Sequence, residues 1–226
     1  MKTLSRAAGI SAISMALLYV IAFVFFGVFW SYPSDGSPAE KMTFLAEHQF
    51  SFNVIYTLMY LVFAVFLSFL VVGLYQRLKV KSEGLIAVGT LFGAIWVGLV
   101  IASGMIANIG LAYAIGLMEV NPEKAFDVWG IIYLMVESLG GGNELVGGLW
   151  VLVVSIVALQ LGVFSKYLNC LGIFVGIAGV ATIYPSEIFT EIFGISQIVW
   201  FIWIGSSLLG RENESKDWGG AVVAKR

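Results

Sequence analysis

One histidine and one cysteine in 226 residues exclude several kinds of chemistry before any pattern is read. A single cysteine cannot close an intramolecular disulfide, and a single histidine cannot supply the paired imidazoles of most zinc centres. Charge is scarce too. Asp, Glu, Lys and Arg make up 12 % of the chain, against about 25 % in an ordinary soluble domain. The formal charge is −2 with only 12 basic residues, which leaves no concentrated basic face for nucleic acid. No glycine-rich loop runs into a Lys-Ser/Thr pair, and no Glu-x-x-His spacing occurs, so neither a phosphate cradle nor a helical metal motif is present. No metal site and no cofactor are expected.

What the chain has in quantity is apolar surface: 60 % hydrophobic residues, 15 % aromatic, and a mean hydropathy of +0.96. Uncharged runs longer than the roughly 20 residues that cross a bilayer recur along its length. The fold class is therefore an all-α, polytopic transmembrane helical bundle. The expected spans are about 7–30, 51–77, 84–114, 144–163, 168–184 and 195–210, forming one membrane domain over 1–210, with a cytoplasmic tail at 211–226. The first begins after Lys2 and Arg6 and ends Phe26-Gly27-Val28-Phe29-Trp30. An aromatic end of that kind suits a retained interfacial helix better than a cleavage site.

The stretch 124–163 holds two apolar runs separated by Glu137-Ser138-Leu139-Gly140-Gly141-Gly142-Asn143-Glu144. Read as two crossings it gives seven spans; read as an interfacial helix followed by one crossing it gives six. Cytoplasmic loops carry the excess of Lys and Arg. With six spans the inner side holds Lys2, Arg6, Arg77, Lys79, Lys81, Lys166, Arg211, Lys216, Lys225 and Arg226, and the outer side keeps Lys41 and Lys124. Six spans with both termini cytoplasmic is the better reading, in the cell membrane.

All four prolines, Pro33, Pro38, Pro122 and Pro185, fall in the expected outer loops. Ser37-Pro38-Ala39-Glu40 has the N-cap, first-turn proline and third-position Glu of a capping box, and Asn121-Pro122 repeats the start signal. Short interfacial helices are expected at about 38–49 and 122–139, with a weaker one at 186–193. Gly89 with Gly93, and Gly172 with Gly176 and Gly179, sit at spacings that let helices approach closely.

The C-terminal half carries a wider pattern. Gly142-Asn143-Glu144-Leu145-Val146-Gly147-Gly148-Leu149-Trp150, then Tyr167-Leu168-Asn169-Cys170-Leu171-Gly172 leading to Gly176-Ile177-Ala178-Gly179, then Phe193-Gly194-Ile195-Ser196-Gln197 through Trp203, resemble bacterial and archaeal membrane proteins grouped as domain of unknown function 4386. The Arg6-Ala7-Ala8-Gly9 opening is similar as well. The resemblance implies a multi-pass membrane protein of about this length. It brings no established activity and no catalytic residue.

Polar side chains converge on the external half. Glu144 lies 22 residues before Lys166, about 33 Å of helix, and Asn108 lies 24 residues after Gly84, about 36 Å. His48, Glu137 and Asn143 belong to the same layer. Glu137, Asn143, Glu144, Asn108 and His48 are thus the candidate ligand-binding residues of an outward-facing polar vestibule. Glu137, near a helix C-terminus, stands out because the dipole there disfavours a carboxylate. A structural alternative has Asn143 capping the fourth span and Glu144 in its first turn. Cys170 lies near the opposite face from His48, so the two cannot form a catalytic dyad. The expected function is non-enzymatic: a small-molecule or ion binding or permeation module. The alternative is an accessory or scaffold subunit of a membrane complex. Expected partners are the lipid bilayer, a small-molecule or cation ligand, and a membrane-protein partner or second copy of the chain.

Overall fold

A computed structural model describes residues 2–80, 82–184 and 186–223, without the side chains of Lys2 and 211–223. The expectations placed on Lys81, Pro185 and the charged side chains of the 211–226 tail lie outside the described residues. Helix makes up 88 % of the described residues and no strand occurs among them, so the class is all-α. In order the helices are α1 (Lys2–Val24), α2 (Pro38–Glu47), α3 (Gln49–Tyr56), α4 (Phe63–Leu78), α5 (Glu83–Leu117), α6 (Pro122–Gln160), α7 (Lys166–Ala181) and α8 (Glu187–Val223). Two π-helical segments interrupt the series, Phe25–Phe29 after α1 and Thr57–Val62 between α3 and α4.

Five helical stretches are long and apolar enough to cross a membrane: Thr3–Phe29, Gln49–Leu78, Glu83–Leu117, Pro122–Gln160 and Glu187–Gly210. Large side chains on them stay uncovered, among them Leu17, Phe23, Leu91, Ile109 and Ile202. Water would penalise such exposure; hydrocarbon does not. α7 is apolar but has 16 residues, about 24 Å of helix.

Two expected boundaries are corrected. α6 is one helix of 39 residues where an interfacial helix at 122–139 and a separate span at 144–163 were expected. Glycine permits a break but does not impose one. Each Gly in a helix costs about 1 kcal/mol relative to Ala, whereas breaking the ladder in an apolar medium costs several kcal/mol for every unsatisfied backbone group. A single helix also cannot cross twice, which removes the seven-span arrangement. In the same way 186–193 is no separate element, since α8 begins at Glu187 and continues without interruption.

The helix starts follow their local chemistry. At α2 the backbone N–H and hydroxyl of Ser37 donate to Glu40 Oε2 at 2.7 and 2.9 Å, and the Glu40 N–H donates back to Ser37 Oγ at 3.3 Å. The backbone bond first and the hydroxyl second hold the Glu40 carboxyl below its usual range. At α6 the Lys124 N–H donates to Asn121 Oδ1 at 3.0 Å.

The contacts group into two compact units. The first comprises Met1–Leu17, Val65–Trp96 and Glu144–Arg226. Its core holds Leu67, Leu70, Leu74, Trp96, Trp150 and Trp200, with ring centroids 5.8 Å apart from Trp96 to Trp150 and from Trp150 to Trp200. Glycines bring its helices together: a Cβ at Gly148 would lie 2.8 Å from Gly179 Cα, and one at Gly176 would lie 2.5 Å from Leu152 Cβ. The expectation of close packing at Gly172, Gly176 and Gly179 holds there. The second unit comprises Leu18–Ala64 and Val97–Asn143, with a core of Met42, Leu45, Phe52, Ile55, Tyr56, Ala107, Leu111, Trp129 and Val136.

These packing differences predict opposite signs for two alanines. Gly148→Ala should destabilise by about 1–3 kcal/mol, because the methyl meets backbone and not a movable side chain. Gly141, whose Cβ would meet nothing within 4 Å, should gain up to about 1 kcal/mol as Ala from helix propensity. Thermal unfolding in detergent reads both, and a destabilising Gly141→Ala would contradict the continuous helix.

Candidate functional site

The five residues singled out by sequence take separate positions. Asn143 is inside α6 and 8 % exposed, so it is not a cap. Its Nδ2 donates to Ser103 Oγ on α5 at 3.3 Å, and that hydroxyl donates to Leu99 O at 3.0 Å. The next residue, Glu144, also lies within α6 and not in a first turn; it accepts from Thr190 Oγ1 of α8 at 3.1 Å. Asn108 donates from Nδ2 to Thr57 Oγ1 at 3.3 Å. His48 sits at the corner between α2 and α3, where Nδ1 lies 2.9 Å from Phe44 O and the ring stacks on Phe44 at 4.2 Å. Glu137 is exposed on α6, and the Tyr133 hydroxyl one turn before it is hydrogen-bonded to its carboxylate. Asn143, Asn108 and His48 thus act mainly as joints between or within helices.

A concavity of the second unit lies elsewhere. A cavity of about 420 Å³ is lined by Phe26, Trp30, Tyr32, Leu45, Phe52, Tyr56, Phe126, Trp129, Gly130 and Tyr133. Eight of these ten residues carry six-membered aromatic rings, and none of the five sequence candidates is among them. Four segments build the wall. Phe126, Trp129, Gly130 and Tyr133 recur at helical spacing on one face of α6. Phe52 and Tyr56, one turn apart on α3, stack at 4.0 Å, and Phe52 meets Trp129 edge-on at 5.6 Å. Leu45 comes from α2. Phe26, Trp30 and Tyr32 come from the first π segment and the residues after it.

The π segments bear on this wall directly. The Trp30 N–H bonds to Phe25 O at 3.0 Å, a reach of five residues where an α-helix reaches four. Each such insertion re-aims the side chains near it without leaving the ladder open, and π segments occur often at functional sites. One holds Phe26 and precedes Trp30; the other begins directly after Tyr56. Trp30 is the hub of the cluster, with Phe25, Phe26, Phe44, His48 and Phe52 at 5.0–6.0 Å between centroids.

Hydroxyls from Tyr32, Tyr56 and Tyr133 supply the polar points of the wall. Burial pushes the Tyr32 phenol above the usual tyrosine range, so it stays protonated and able to donate. Such a cavity, mostly apolar with a few polar groups, has the composition of a small-molecule pocket. Among the described residues no group of three or more His, Cys, Asp or Glu side chains is placed to hold a metal ion. Sequence reading missed this site because it followed polar side chains; the spacing of Phe126, Trp129 and Tyr133 was the available signal.

No family model, curated protein or solved structure matches this chain.

The Asn143 geometry predicts how that position tolerates change. Its Oδ1 is buried without a hydrogen bond, and Ser103 keeps Leu99 O as acceptor without it. Asn143→Leu should therefore alter stability by less than about 1 kcal/mol. Asn143→Asp should cost about 2.5–3.5 kcal/mol, the scale for Asp within a membrane helix. Equal effects of the two substitutions in thermal unfolding would contradict the buried placement.

Proposed function

We propose that this chain is a six-span membrane protein that binds a small molecule, without catalysis, in the aromatic cavity of its second unit. The observation that carries the reading is the wall itself: eight aromatic residues drawn from α2-flanking, α3 and α6 segments around one space of about 420 Å³. Rings of this size bury large apolar areas, and a ligand that covers their faces gains that area back. The wall presents ring faces and phenols in place of an acid and base pair, which suits binding better than chemistry.

Six crossings are supported by counting basic residues. Five long helices plus α7 give an even number, which keeps Lys2, Arg6, Arg77, Lys79, Lys166 and the tail on one side and Lys41 and Lys124 on the other. Residues 182–184 after α7 extend its reach, and a short span is accommodated by local thinning of the bilayer. On this topology the N-terminal part of α6, with the cavity residues Phe126 to Tyr133, lies toward the outer face. Membership of the group of domain of unknown function 4386 is part of the same proposal, resting on the glycine-rich motifs quoted above.

Reporter fusions test the topology. A reporter at Arg226 and one between Pro33 and Pro38 should report opposite sides of the cell membrane; the same side for both would contradict six spans.

The cavity can be tested by filling it. Gly130 is in the wall and a Cβ there would meet nothing within 4 Å, so Gly130→Leu should occupy the space without a backbone clash. Native mass spectrometry should find a small molecule retained by the wild type and lost from Gly130→Leu, with unfolding temperature unchanged within a few degrees. Equal retention by both would rule the cavity out as the binding site.

A further inference from the structure

The electrostatics around the aromatic cavity are more specific than its shape. Two opposite charges lie along the α6 face that forms its wall. Near Phe126 the Lys41 ammonium sits 5.5 Å from the ring centroid. At the other end Tyr133 is hydrogen-bonded to Glu137, and Tyr56, Tyr133 and Glu137 are close enough to interact electrostatically. Phe126 and Tyr133 are seven residues apart, about 10.5 Å along the helix. Neither Lys41 nor Glu137 lines the cavity, so both act on its contents through the rings.

Ring faces carry negative potential. They attract cations and repel anions, Trp most strongly. The Lys41 contact shows that one ring of this wall already takes a cation on its face. Inside, the indoles of Trp30 and Trp129 and the phenols of Tyr32 and Tyr133 add to the same field, and at the Tyr133 end the Glu137 carboxylate reinforces it. At the Phe126 end Lys41 opposes it. An occupant with a positive head and an apolar body therefore has one preferred orientation: head toward Tyr133, body toward Phe126 and away from Lys41.

We propose that the occupant is an organic cation of the quaternary-ammonium type with an apolar body, its head held against Tyr133 and favoured by Glu137. This rests on the cavity being the binding site, so the test must separate the two ideas. Benzyltrimethylammonium and its uncharged carbon isostere neopentylbenzene have the same shape and differ in charge. Their binding to protein in nanodiscs is followed by tryptophan fluorescence, with Trp30 and Trp129 in the wall as reporters. Protein-free nanodiscs and Gly130→Leu supply the background.

The cation should bind the wild type more tightly than the isostere by about tenfold. Glu137→Gln should weaken the cation by about threefold or more, and Lys41→Met should tighten it by a similar factor, as charges acting through a partly screened medium do. Neither substitution should move the isostere. Glu137 is exposed and Lys41 half-buried on α2, so both variants should fold, and each alone gives a signed result. Equal binding of cation and isostere, or a cation weakened by Lys41→Met, would overturn the cation assignment and leave the cavity standing. Binding of neither compound above the Gly130→Leu background would overturn both.

Discussion

The structure depends first on the rule that a backbone group in an apolar medium has no water to bond with. Every N–H and C=O along the spans needs a partner within the chain, and helix is the only local solution. That constraint carries α6 through Gly140, Gly141 and Gly142 without a break. It also explains the form of the irregularities that remain. The chain changes to five-residue hydrogen bonds at Phe25–Phe29, the last turn before the loop to α2, and at Thr57–Val62, where α3 continues into α4 without opening a loop. Such insertions re-aim rings, and the aromatic wall is built around them.

The two units use side-chain size in opposite ways. In the first, glycines let backbones touch, as at Gly148 and Gly179, and dispersion forces gain from the short distance. In the second, Trp30, Phe52, Tyr56, Trp129 and Tyr133 meet at angles from stacked to perpendicular. Rigid rings meeting at such angles do not fill space as aliphatic chains do. The second unit therefore combines a well-packed core with a cavity of about 420 Å³, and the groups that leave the space also determine what it can hold.

Much of the architecture was legible because it rests on local signals. Long uncharged runs specify helices, Ser37 with Glu40 specifies the start of α2, and Asn121 with Pro122 specifies the start of α6. The triple glycine was ambiguous, since its meaning depends on the medium around it. The candidate site was less legible. Asn143 and Glu144 are adjacent in sequence, but successive residues of a helix point about 100° apart, and these two bond to different helices. For aromatic residues the difficulty is different: a ring facing lipid and a ring facing a cavity leave the same mark in a sequence. The spacing of Phe126, Trp129 and Tyr133 identifies a face of α6, while only the fold shows that Phe52 and Trp30 stand opposite it.

The central claim is that this space between rings is a binding site. Photolabelling in the native membrane tests it most directly, using a small aryl diazirine followed by peptide mapping. Adducts concentrated on Trp30, Phe52, Tyr56 and Trp129, and suppressed by excess unlabelled aryl ligand, are the predicted result. Adducts confined to outward-facing side chains such as Leu17, Leu91 and Ile202, insensitive to competitor, would contradict it.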